Sequence, residues 1–222
     1  MRKGRGLALT AWVLGPLGLV LLIGSVLYVR SAYTRVTVVS TSMSPTYTAG
    51  ERLVVELVDG DQVRRGDVVL VDSPRPDVDG PVLQRVVGVG GDRVACCEGS
   101  GTTERVTLNG RALKESYVRD GVADGIGRPY DLKVPEGQLF LLGDHRMDSL
   151  DSRFYGSGDT AGALSAGAVR GRVVDGLGGA LFVLLAAALG LVLALVGLGC
   201  GIAARAVRRR SVPPAPPWPV HT

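Results

Sequence analysis

Two almost unbroken apolar runs bracket a long stretch in which apolar and polar residues alternate. The first run covers residues 7–29 and the second residues 177–204. Each is long enough for a membrane-spanning helix, which needs about 20 apolar residues. Between them the period is two, as expected of strands with one buried face. The alternation is clear over residues 52–57, 67–71 and 82–87, with further candidate strands at 105–108 and 138–142. Turn signals separate them: Asp59-Gly60-Asp61, Pro74-Arg75-Pro76-Asp77, Gly90-Gly91-Asp92, Asn109-Gly110 and Pro135-Glu136-Gly137. Asn109-Gly110 predicts a two-residue hairpin between residues 106–108 and 112–113. No long amphipathic helix pattern competes. The pattern therefore predicts a mainly β fold, a folded sheet or barrel of short strands, lying between two transmembrane helices.

Charge orients this arrangement. Arg2, Lys3 and Arg5 precede the first run, and Arg205 with Arg208, Arg209 and Arg210 follow the second. Basic residues stay on the cytoplasmic side of a membrane, so both termini are expected there. The predicted layout is a cytoplasmic N-terminus (1–6), a span (7–29), an extracytoplasmic β domain (30–176), a second span (177–204) and a cytoplasmic basic, proline-rich tail (205–222). The tail from Pro213 onward reads as disordered. A cleaved secretory signal is the rival reading of the first run. That run is longer than a usual signal core, and Val29-Arg30-Ser31-Ala32 offers no small-x-small cleavage site. A cell-wall sorting signal is the rival for the second, but residues 158–176 contain no Leu-Pro-x-Thr-Gly type site. Pro16 is expected to kink the first helix without breaking it, since neighbouring polar groups absorb the lost hydrogen bond.

Composition narrows the function classes. The chain has 222 residues, room for one globular domain besides the spans. Its mean hydropathy of +0.25 comes from the two apolar blocks. The net charge of +4 lies largely in the two ends, and no basic stripe with interleaved aromatics lies between them, which argues against a nucleic-acid partner. Only Lys3, Lys114 and Lys133 of the 25 basic residues are lysines. Three cysteines make no disulfide framework: Cys96 and Cys97 are neighbours, a strained pairing, and Cys200 lies in the second apolar run. They read as packing residues. With His145 and His221 as the only histidines, no metal-ligand spacing exists, and neither metal nor cofactor is expected. Arg65-Gly66-Asp67 reads as a turn leading into a strand. Gly88-Val89-Gly90-Gly91 is no dinucleotide fingerprint, because no helix pattern follows it. Residues 116–129 read as a loop.

Candidate chemistry begins at Ser42, where Val38-Val39 lead into Ser40-Thr41-Ser42-Met43-Ser44-Pro45-Thr46 and Pro45 ends the run. This stretch resembles the nucleophile box of the type I signal peptidases, membrane serine proteases of the Ser/Lys dyad type. Arg65-Gly66-Asp67-Val68-Val69, the stretch Gln84-Arg85-Val86-Val87-Gly88-Val89-Gly90-Gly91-Asp92, and Leu142-Gly143-Asp144-His145-Arg146-Met147-Asp148-Ser149-Leu150-Asp151-Ser152-Arg153 resemble that family's following boxes, in the same order. The resemblance implies Ser42 as nucleophile, and the Ser40 hydroxyl with the Ser42 backbone N–H as oxyanion hole. It implies Met43 in the pocket for small substrate residues, Ser149 orienting the base, and Asp151 with Arg153 as a supporting ion pair. The implied partners are the signal peptides of exported preproteins and the lipid bilayer.

The departure is at Gln84, where bacterial members of that family carry the general-base lysine. A lysine accepts a proton near neutral pH once desolvation lowers its pKa; a neutral amide does not. His145 is the candidate substitute base, because histidine is the side-chain type suited to proton exchange near neutral pH. Two readings follow: a signal peptidase I that removes signal peptides, or a catalytically impaired relative that binds preproteins or a membrane partner.

Overall fold

The computed structural model describes residues 3–100, 103–156, 161–174 and 178–210. It divides into a β unit and a unit formed by two long helices. The proline-rich tail and His221 lie outside the described residues.

The β unit is built of eleven described strands: β1 (Tyr33–Thr37), β2 (Arg52–Glu56), β3 (Val68–Asp72), β4 (Pro81–Val89), β5 (Arg93–Glu98), β6 (Arg105–Leu108), β7 (Arg111–Ala112), β8 (Tyr130–Lys133), β9 (Gln138–Leu142), β10 (Leu164–Ser165) and β11 (Val169–Val173). They form a seven-stranded sheet in the order β1-β2-β11-β3-β4-β9-β10 and a four-stranded sheet in the order β7-β6-β5-β8. All the pairings are antiparallel.

Side chains of the central strands alternate between separate cores. Val68 and Leu70 of β3 pack with Val38, Met43, Tyr47, Leu53 and Val55. Val69 and Val71 point the other way, into a core with Val86, Leu139 and Leu141. Phe140 and Leu142 of β9 join Val87, Val94, Val106 and Tyr130 in a third core that includes the smaller sheet. Strands buried on both faces lose the polar alternation of a one-sided sheet, and β3 is buried at all four positions of Val68–Val71.

The strands expected at 52–57, 67–71, 82–87, 105–108 and 138–142 all form, within two residues at their ends. The Asn109-Gly110 hairpin forms as well, with positive φ at both residues (53° and 76°), the conformation a two-residue turn requires. Residues 116–129 are a loop with one 3₁₀ turn at Arg119–Gly121. Arg65-Gly66-Asp67 is a turn before β3, and β5 rather than a helix follows Gly91. The cysteine reading needs correcting. Cys96 and Cys97 are joined as a vicinal disulfide across a cis peptide bond. The pair lies where the register between β5 and β6 shifts, a backbone feature that sequence spacing does not encode. Cys96 still contributes to the core beside the smaller sheet.

In the second unit, α1 (Lys3–Ala32) contains the first apolar run, with Pro16 inside it, and α2 (Gly178–Arg210) contains most of the second. Both are long and apolar enough to cross a membrane. They pack through small residues: a Cβ at Gly197 would lie 2.5 Å from the Gly15 nitrogen, and one at Gly190 2.8 Å from the Leu22 nitrogen. Side chains larger than hydrogen would force these backbones apart.

Candidate active site

The segment after β1 leaves the sheet edge through two hydrogen bonds, Val38 N–H to Glu51 O and Gly50 N–H to Val38 O (2.9 and 2.8 Å). It then turns tightly, with Ser44 N–H donating to Thr41 O and Tyr47 N–H to Met43 O, both at 3.0 Å. Burial of Val38, Met43 and Tyr47 anchors the turn in the core and leaves Ser40 exposed and Ser42 half-buried. The Ser40 and Ser42 hydroxyls lie 2.9 Å apart, within hydrogen-bonding distance. Both line a groove of about 450 Å³ together with Met43, Gln84, Ser149 and Leu150. Its walls are largely apolar, including Val36, Val38, Val82, Leu83, Ile126 and Phe154.

Gln84 lies on β4 opposite Val69 and is only 2% exposed. Its amide Nε2 donates to Leu150 O and to the Tyr155 hydroxyl, each at 2.7 Å. The Leu150 carbonyl can only accept, which fixes the amide orientation. Among the described residues, buried Gln84 Oε1 has no hydrogen-bond partner, nor has Ser149 Oγ. The Tyr155 hydroxyl also donates to Leu150 O at 3.2 Å. Burial pushes its pKa up to about 12, against a smaller lowering by the Gln84 hydrogen bond, so it stays protonated at neutral pH and cannot replace a base.

His145 reaches the Ser42 segment through its backbone, its N–H donating to Ser42 O at 2.9 Å. The ring is not part of the groove wall. Its Nδ1 lies 3.7 Å from Asp148 Oδ2, and the same carboxylate oxygen accepts from the Thr41 hydroxyl. Lys114 and Lys133 are exposed and also lie outside the groove wall. The structure thus brings Ser40, Ser42, Met43, Gln84 and Ser149 to one groove and keeps the His145 side chain out of it.

Beneath the groove lies a set of buried ion pairs. Arg153 forks onto Asp151 (Nε to Oδ1 2.8 Å, Nη2 to Oδ2 2.9 Å) and donates to Asp124 O and Oδ1 and to Arg146 O. Burial alone would lower the Arg153 pKa; the Asp151 hydrogen bond and charge outweigh it and raise it. Asp151 Oδ2 also accepts from Gly143 N–H at 3.1 Å, and Arg146 Nε donates to Gly143 O at 2.9 Å. Both polar groups of that one peptide position are therefore tied to charged side chains. Gly143 is needed there for space: a Cβ would collide with Ser149 Oγ and lie 2.8 Å from Ser42 O.

A second pair was not anticipated from sequence. Arg85, next to Gln84, forks onto the fully buried Asp144 at 2.8 and 2.6 Å, donates to Gly66 O at 2.8 Å and stacks on the Tyr117 ring. Thr46 donates to Asp144 as well. This cluster joins the turn after Arg65, strand β4, the Ser42 segment and the loop after β9. Tyr155 was likewise missed. Arg85 and Asp144 each sit in a motif already singled out, which was the available signal; Tyr155 carried none. Among the described residues no group of three or more His, Cys, Asp or Glu is placed to hold a metal ion.

The site is thus a groove with two paired serine hydroxyls in a mainly β domain, and comparison with known proteins shows its family. The family model described as signal peptidase, peptidase S26, matches residues 9–175. The chain belongs to that family. It is 34% identical over 122 residues to signal peptidase I of Bacillus licheniformis, covering 51% of this chain and 62% of the relative. It is 32% identical over 125 residues to signal peptidase I of Leptolyngbya laminosa (53% and 58%) and 33% identical over 99 residues to a probable signal peptidase I of Mycobacterium leprae (40% and 33%). The chain spans less than two thirds of the length of these relatives. A crystal structure of a signal peptidase I from Enterococcus faecalis V583 aligns with 51% of this chain and 97% of its own, at 25% identity and a TM-score of 0.39.

Proposed function

We propose that this protein is a membrane-bound signal peptidase I, a serine endopeptidase that removes signal peptides from exported preproteins. The observation that carries this reading is the Ser40–Ser42 hydroxyl pair at 2.9 Å in an apolar groove whose wall includes Gln84. In this reading Ser42 Oγ attacks the carbonyl carbon at the cleavage site. Its backbone N–H and the Ser40 hydroxyl face the developing oxyanion, where each donor is worth about 3–4 kcal/mol. Met43 limits the pocket to small residues. Ser149 orients the proton acceptor, and the Asp151–Arg153 pair supports that part of the site.

The proton of Ser42 has no side-chain acceptor at position 84. Water or hydroxide entering the groove takes it, the leaving amine is protonated by water, and a second water releases the acyl-enzyme. Loss of a positioned general base costs about 10²–10⁴ in rate, so cleavage is slow. Basic residues at both ends support a topology with residues 1–6 and 205–222 cytoplasmic, spans at 7–29 and 177–204, and the β domain (30–176) outside the cell membrane.

The test uses the full chain in proteoliposomes with a preprotein substrate. Slow cleavage abolished by Ser42→Ala and accelerated by Gln84→Lys is expected. Cleavage at the rate of a lysine-bearing relative would overturn the slow mechanism. Binding of preprotein without cleavage, in both the wild type and Gln84→Lys, would instead favour a non-cutting relative. The turning of the Gln84 amide onto Leu150 and Tyr155 is the observation on that side.

A further inference from the structure

The packing of α1 against α2 leaves a groove of about 590 Å³ along one flank of the helix pair. Trp12 and Gly15 of α1 and Gly197 and Gly201 of α2 form its narrow wall, and Arg205 and Arg208 line one end. On α1 the groove runs from Ala8 to Leu19, about 16 Å at 1.5 Å per residue. That is roughly half of a 30 Å hydrocarbon core. A slot one leaflet deep, with two guanidinium groups at its outer end, has the dimensions and charge of a single phospholipid.

We propose that this groove binds an anionic membrane phospholipid, one acyl chain lying along Trp12, Gly15 and Gly197 and the phosphate at the end that Arg205 and Arg208 line. The proposal rests on the reading of both helices as membrane spans. That reading puts the arginine end at the cytoplasmic leaflet, where anionic lipids concentrate. Charge selects this occupant over a signal peptide or a second copy of the chain. A signal peptide carries its positive n-region to the same cytoplasmic end, where Arg205 and Arg208 repel it. A second copy of the chain brings the same arginines.

Trp12 is 81% exposed and lines the slot, which makes it a reporter. The full chain carrying Trp218→Phe, so that Trp12 is its remaining tryptophan, is placed in bilayers in which either phosphatidylglycerol or phosphatidylcholine bears bromine on its acyl chain. Phosphatidylglycerol is expected to quench Trp12 with an association roughly fivefold stronger per contributing arginine than phosphatidylcholine. Arg205→Gln with Arg208→Gln should abolish that preference, and so should Gly201→Leu, which fills the slot. Equal quenching by the two lipids, or a preference that survives the double variant, overturns the site while leaving the spanning reading intact. Quenching relieved by an added synthetic signal peptide, and not by unbrominated phosphatidylglycerol, identifies a peptide occupant and also overturns it. Absence of quenching by either lipid means that the helix does not lie in the bilayer, and both readings fall.

Discussion

Positions 84 and 143 bear on the proposed chemistry and on the geometry of the groove. At position 84 the surroundings retain what an ammonium group needs, two oxygen acceptors within reach of the present amide nitrogen. Gln84→Lys is therefore expected to raise preprotein cleavage by about 10² or more and to add a limb to the rate–pH profile. The sign follows from the base being the uncharged form: the rate rises with pH as the lysine loses its proton, at a pH below the ordinary lysine range because burial disfavours the charge. The wild type lacks that titration and its plateau, and any hydroxide-dependent rate simply keeps rising with pH. At Gly143, substitution by Ala should force Ser149 and the Ser42 carbonyl apart and cut cleavage at least tenfold, with overpacking costing about 1–3 kcal/mol in a thermal melt. Retained activity in that variant would separate Gly143 from the groove. The Ser40–Met43 turn was legible in the sequence because its residues are contiguous. The Arg85–Asp144 pair was not, because its partners lie 59 residues apart and residue type does not reveal which charged side chains are buried.

Among the elements, the short bend between β4 and β5 is tied down by one carboxylate. Asp92 accepts from Arg65 at 2.5 and 2.7 Å, from Val89 N–H at 2.9 Å and from Asn109 Nδ2 at 2.8 Å, so it links the turn before β3, the end of β4 and the β6–β7 hairpin. Burial pushes its pKa up, but the donors from Arg65, Val89 and Asn109 outweigh this and hold it below the usual carboxylate value, about 3.9. A depressed folded-state pKa means that the stabilisation is complete above the ordinary pKa and is lost as pH falls through the folded one. Asp92→Asn is thus expected to destabilise the β unit by about 1–3 kcal/mol at neutral pH, with the wild-type and variant unfolding curves converging in strong acid. A gap that persisted there would mean that the charge is not what stabilises the bend. Strands with plain alternation were legible. β1, β5, β8, β10 and β11 were not: β10 has two residues, β11 carries Gly171 at its centre, and β5 contains the cysteine pair. Their strand state comes from their partners more than from local pattern.

At the scale of the whole molecule, two apolar helices and a separate β unit are what the hydrophobic pattern predicted, because segment length and period are coarse properties that survive local exceptions. Which strand joins which sheet is set by tertiary packing and was not legible. The proposed topology has a direct check in a chain whose native cysteines are replaced by serine. Asp77→Cys is expected to react with a membrane-impermeant maleimide on intact cells, and Val212→Cys only after lysis. Labelling of both without lysis would overturn the assignment of cytoplasmic ends.

The hydrogen bond from His145 N–H to the Ser42 carbonyl has a consequence in time as well as in space. A backbone amide held this way exchanges its hydrogen with solvent only when the bond opens, and each cooperative unit opens with its own free energy. The exchange rate of the His145 amide is therefore a clock for the Ser42 turn, readable without substrate and without turnover. Matching rates for His145 and for the amides of β4 and β9 would mean that Ser42 leaves its place only when the central sheet itself comes apart.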